Sequence, residues 1–206
     1  MKIPAENQND AELLSRFAAG DEAAFRTIVS HYKNGLYTFL RRFLNNNELV
    51  EDIFQETFLQ LFTSRESFDR NRPLRPWLFT IAANKAKDAL RKQHRTSAIT
   101  IGTILENEQM SFEDVLHTIA FDTDKQDTGP YENIERDEMA ALVRKVIANM
   151  PENLREILIL SYFNKFSYKQ MADTLSIPIG TVKSRLHAAI SRFSKDWKAT
   201  VGSKKG

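Results

Sequence analysis

The sequence predicts an all-α protein. Two small helical domains are joined by an acidic flexible linker, and the C-terminal domain contains a helix-turn-helix. Three observations carry this expectation. Apolar residues recur at steps of three and four, and no segment sustains the alternation of a strand. Only 7 glycines and 6 prolines occur in 206 residues, few for a β-rich or loop-rich fold. The charge is divided: residues 1–95 carry a net +3, residues 96–130 a net −6 and residues 131–206 a net +5. Two basic modules flanking an acidic tether give domain boundaries at 1–95, 96–130 and 131–206.

The first helix is expected from Asp10 to Ala19, with Leu13, Leu14 and Phe17 on one face and Gly20 ending it. Asp21 reads as an N-cap. A long helix follows through Phe25, Ile28, Val29, Tyr32, Leu36, Phe39, Leu40 and Phe43, broken by Asn45-Asn46-Asn47. On it His31 reads as a half-buried packing residue. A third helix spans Glu48 to Ser64, with Val50, Ile53, Phe54, Phe58, Leu61 and Phe62 inward. Arg65 to Arg72 is a polar loop. Pro73 and Pro76 fix the start of a fourth helix, Trp77 to His94. Residues 96–130 have weak periodicity, with one short helical piece at Phe112–Ile119. A helix then runs from Tyr131 to Asn149, with Ile134, Met139, Leu142, Val143, Val146 and Ile147 inward. Pro151 starts the next, with Leu154, Ile157, Leu158 and Tyr162 toward the core. Two more, Ser167–Leu175 and Ile179–Trp197, are separated only by Ser176-Ile177-Pro178.

Composition narrows the function. The absence of cysteine removes disulfides, thiolate nucleophiles and Cys-ligated metal. The four histidines, His31, His94, His117 and His187, fall in separate segments, so no metal site is expected. No phosphate-binding or dinucleotide glycine motif is present. No carboxylate stands isolated in an apolar run, where acid–base work would be suspected. An enzyme is therefore not expected, nor a cofactor. The opening MKIPAENQND offers no apolar export segment, and no run is long enough to span a membrane.

The last two helices carry the strongest signal. Ser167 can cap a short helix whose apolar face is Met171, Ala172 and Leu175. After the turn, Val182, Leu186 and Ile190 step along the inner face of the next helix. Its other face presents Gly180, Thr181, Lys183, Ser184, Arg185 and His187. Hydroxyls and N-terminal amides bind phosphate, and Lys or Arg reach guanine edges. The same spacing would serve two packed helices with a solvated basic face. Gly180-Thr181, which has little packing value, favours a helix entering the major groove.

From Met150-Pro151 through LREILILSYFNKFSYKQMADTLSIPIGTVKSRLHAAISRF, the chain resembles region 4 of bacterial sigma factors of the extracytoplasmic-function (ECF) group. GTVKSRLH is the most specific string. The resemblance implies recognition of a −35 promoter element, with Thr181, Lys183, Ser184 and His187 at bases or nearby phosphates and Arg185 on the backbone. Ser176 stands where many such units have Gly, which strains the turn. Ala188 stands where several relatives carry a basic residue.

FDRNRPLRPWLFTIAANKAKDALRKQHR places cations beside aromatics, a composition suited to unpaired bases. Stacking on an aromatic is worth about 1–3 kcal/mol per base. Phe79 and Ile81 read as core, and Trp77 suits core or stacking equally. The segment resembles the family's −10-reading region. That implies a loop, Ser67 to Arg75, that captures a flipped base through Asn71, Arg72 and Leu74, with Arg75 and Trp77 beside it. Asn84, Lys87, Asp88 and Arg91 share one helix face and would border the −10 edge.

In VEDIFQETFLQLF, Asp52, Gln55 and Glu56 lie on the face away from Ile53, Phe54 and Phe58. Alone they make an ordinary solvated acidic patch. Resemblance implies docking on the β′ clamp helices of core RNA polymerase. It also implies contact with the β subunit, promoter DNA as second partner, an anti-sigma protein as an inhibitor, and a cytoplasmic location. The resulting expectation is a promoter-specificity subunit that binds −35 duplex and melts −10 DNA. A stand-alone helix-turn-helix regulator and a helical adaptor that binds only protein are the alternatives.

Overall fold

A computed structural model describes residues 5–44, 46–69, 72–96 and 130–202. Among them are eight α-helices, one π-helical turn and no strand. Helix α1 is Ala5–Ala18, longer at its start than the periodicity suggested. Gly20, at φ +94°, ends it in the left-handed conformation a helix stop requires. Asp21 caps α2 (Glu22–Phe43) as expected, accepting from the amides of Ala23 and Ala24. Asn46 caps α3 (Asn47–Thr63) in the same way, through Glu48 and Leu49.

Helix α4 is Leu74–Thr96, three residues earlier than predicted. Pro76 is tolerated in its first turn, where a missing N–H has no intrahelical partner to lose. Leu74 drives the early start: it is 1% exposed and packs in the core. Ile28, Leu36, Phe39, Leu40, Phe43, Leu61, Leu78 and Phe79 complete the centre of this bundle. Three inward assignments change. Phe62 is 41% exposed, an edge of the Phe17–Phe25 aromatic pair. Ile81 is only half-buried, and His31 lies exposed on α2.

In the C-terminal half, α5 is Pro130–Ala148, α6 Glu152–Leu158, α7 Tyr168–Leu175 and α8 Ile179–Gly202. Between α6 and α7 the backbone widens into a π-helical turn, Ile159–Phe163. Helices α5, α6 and α7 all pack on α8. Their shared core is Val143, Val146, Ile147, Ile157, Leu158, Met171, Val182, Ala189, Phe193 and Trp197. The segment 97–129, including the expected piece at 112–119, lies outside the described residues.

The two halves are not separate bodies in this structure. Helix α4 packs on α7, and α2 packs on α5, α6 and the π turn. The buried apolar residues of both halves form one continuous cluster.

Candidate nucleic-acid and partner interfaces

The helix-turn-helix is built as its sequence requires. Ser167 and Gln170 form a reciprocal capping box at the start of α7. Ser176 ends that helix at φ +53°, a left-handed conformation that an L side chain adopts only at a cost. At the start of α8, Ile179 and Gly180 are exposed. Of the predicted readers on α8, Lys183, Ser184 and His187 are exposed, and Thr181 and Arg185 are half-buried. The Ser184 hydroxyl donates to the Thr181 carbonyl at 3.1 Å, so both keep to one turn.

The predicted −10 surface on α4 divides in two. Asn84, Asp88 and Arg91 are exposed on one face, and Arg91 pairs with Asp88 at 3.0 Å. Arg72 is exposed at the head of the helix. Trp77 is half-buried, edge-on to Phe68 with ring centroids 4.8 Å apart. Leu74, expected to help capture a base, is instead core and closed to a base, and Asn71 falls outside the described residues. Arg75 and Lys87 instead face the C-terminal half. Arg75 donates to the Asn164 carbonyl at 2.5 Å, its guanidinium 4.6 Å from the Phe166 ring centre. Lys87 meets Glu156 of α6, its Nζ 3.0 Å from one carboxylate oxygen and 3.3 Å from the other.

On α3, Asp52, Gln55 and Glu56 are exposed together, and Leu59, 61% exposed, continues their face by one turn. Glu56 also pairs with Lys85 of α4 at 2.6 Å. A groove of about 600 Å³ between α3 and α4 is lined by Asp52, Glu56, Lys85, Asp88 and Lys92. The acidic patch and the edge of the predicted −10 surface therefore share one concavity.

Residues 28–96 match the family Sigma-70 region 2, and residues 140–193 match Sigma-70, region 4. The chain is 31% identical over 185 residues to the ECF RNA polymerase sigma-E factor of Haemophilus influenzae, covering 90% of this chain and 93% of that one. The chain belongs to the ECF sigma factors. It is also 31% identical to the ECF RNA polymerase sigma factor SigW of Bacillus subtilis, over 82% of this chain and 86% of that protein. In fold it is similar to CnrH, solved in complex with the cytosolic domain of CnrY: TM-score 0.63 and 22% identity, over 90% of this chain and 95% of that one. The sigma factor RpoE of Bartonella quintana, solved with the anti-sigma factor NepR, gives a TM-score of 0.59 at 21% identity, covering 86% and 96%. Sigma-factor likeness across both halves does not favour the stand-alone regulator.

The sequence reading passed over Glu156, and here the expectation about carboxylates is corrected. Glu156 is 3% exposed. Burial pushes its carboxyl above the usual range, against the pull of Lys87 and, more weakly, of Arg185 on α8. The available signal was its position directly before the apolar run Ile157-Leu158-Ile159-Leu160. Arg155 beside it is also buried, donating to the Ala148 carbonyl at 3.2 Å and lying over the Phe43 ring of α2 at 4.9 Å. Among the described residues no helix is long and apolar enough to cross a membrane.

Proposed function

We propose that this sigma factor brings core RNA polymerase to specific promoters through three surfaces. Residues 1–95 act as the region 2 module, 96–130 as the acidic linker and 131–206 as the region 4 module. Asp52, Gln55 and Glu56 dock on the β′ clamp helices, and the region 4 module rests on the β subunit. Thr181, Lys183, Ser184, Arg185 and His187 read −35 duplex from the major groove. The 67–73 loop with Asn71 and Arg72, together with Arg75 and Trp77 in the first turn of α4, takes up unpaired −10 bases, and Asn84, Lys87, Asp88 and Arg91 border them. Melting needs no catalytic group, because binding the unpaired strand offsets the few kcal/mol of unstacking and unpairing. Bond making is left to the polymerase, in the cytoplasm. An anti-sigma protein is a further partner, in keeping with the complex solved for the structural neighbour from Bartonella.

The observation that carries this reading is the exposed basic start of α8, set on a capped helix-turn-helix in a chain whose other half matches region 2. The test is transcription in vitro with purified core polymerase and a promoter library, with and without the chain. Defined start sites that appear only with the chain are expected. Their absence would overturn the proposal.

A further inference from the structure

A second cavity, of about 390 Å³, lies among α1, α2 and the start of α4. It shares no lining residue with the groove between α3 and α4. Helix α1 contributes Asn9 and Asp10, α2 contributes His31, Tyr32 and Gly35, and α4 contributes Arg75 and Phe79. Asn9 and His31 are exposed, Tyr32 and Arg75 are half-buried, and Asp10 is only 4% exposed. The Tyr32 hydroxyl donates to the Asp10 carboxylate. Arg75 gives one of its five guanidinium donors to the Asn164 carbonyl. Phe79 adds an apolar ring to the wall.

Gly35 marks this space as kept open. It sits inside α2, where glycine is less stable than alanine. Its backbone does not require glycine, because among the described residues only Gly20 is a glycine with positive φ. Nor does packing require it. A Cβ there would lie 3.7 Å from both Asn164 Nδ2 and the Phe79 ring, at ordinary contact distance. What the missing methyl leaves is room in the cavity wall. That room is lined by one carboxylate and one guanidinium, each withdrawn from bulk water. A ligand of a single charge would cover one of them and leave the other unanswered. A ligand with an ammonium and a carboxylate answers both through charge-assisted hydrogen bonds. The volume is near the small end of ligand pockets, about 300–1,000 Å³, which suits a free metabolite rather than a segment of protein.

We propose that this cavity binds a small zwitterion of the free α-amino acid class, its ammonium on Asp10, its carboxylate on Arg75 and its side chain against Phe79. Arg75 is also one of the proposed −10 contacts, so the bound ligand competes with promoter DNA for it. The competition rests on the proposed function; the binding does not.

The test titrates the full chain by calorimetry with the standard free α-amino acids, one at a time. At least one should bind with a Kd below about 1 mM. Its decarboxylated amine and its 2-oxo acid, each lacking one charged end, should bind at least about tenfold more weakly. Asp10→Asn keeps an acceptor for Tyr32 and removes the charge, and should weaken binding at least about tenfold. Gly35→Ala guards against a folding defect. It should melt at or above the temperature of the parent and still bind at least about threefold more weakly, because its methyl takes up cavity space. No binding by any of the amino acids overturns the proposal. So does binding that both variants leave unchanged, or analogues that bind as well as the amino acid. Saturable binding of free deoxynucleosides in their place would make the cavity a base pocket and overturn the ligand class. In transcription with core polymerase, saturating ligand should lower the yield from defined start sites; an unchanged yield overturns the competition. A chain that binds the amino acid but never supports transcription would count against the proposed function and not against this site.

Discussion

Replacing Lys87 with methionine keeps the apolar stem and removes the ammonium that faces Glu156. The side chains are 23% and 4% exposed, so the carboxylate is left almost wholly buried with only the weaker attraction of Arg185 and with Glu152 opposing it. Breaking a buried pair costs about 3–5 kcal/mol; because Lys87 is partly wet, about 2–3 kcal/mol is expected here near neutral pH. For a chain of this size that lowers the melting temperature by roughly 4–12 °C. The pH dependence identifies the cause. Burial already holds the Glu156 carboxyl above its ordinary 4.5, and losing Lys87 raises it further. The folded state then holds a proton that the unfolded state has released. The penalty is fully present above the raised value, fades as pH falls through it, and is gone below the ordinary value. Thermal melts near neutral pH and near about pH 5 should therefore differ, with the variant recovering toward the parent in acid. Adding Glu156→Gln should recover most of the loss at neutral pH, since neither partner is then charged. An equal loss at both pH values, or a loss that persists in the double variant, would refute the reasoning.

Ser176→Gly relieves a left-handed side chain at the end of α7 but loosens the unfolded chain, for a net gain of about 0.5 kcal/mol, or roughly 1–2 °C in melting temperature; a drop on calorimetry would contradict the strain. Lys183→Ala should weaken binding to a −35 duplex about tenfold and reduce the log–log salt slope by about one. Unchanged affinity and unchanged transcription would remove α8 as the reading helix. Asp52→Lys with Glu56→Lys should abolish co-purification with core polymerase while far-ultraviolet dichroism and the melting temperature stay close to the parent's, because both side chains are exposed and the Glu56–Lys85 pair is a surface one. Retained co-purification would discard the docking patch.

The helices were legible because local signals fix them. Asp21 and Ser167 cap where their types predict, and Ser176 bends left-handed where a glycine would be easier. What escaped the sequence depends on contacts across the halves. Phe79 reads as core, yet part of its packing comes from Phe166, far along the chain. Arg75 and Lys87 read as solvated or DNA-facing cations, because periodicity assigns a face to a helix but not the neighbour that covers it. Glu156 escaped for the same reason. A carboxylate is buried only when something brings it a cation, and its cation sits on another module. The π turn at 159–163 left no mark in the spacing of Leu154, Ile157 and Tyr162. Its consequence is to carry Phe163 and Asn164 against α2.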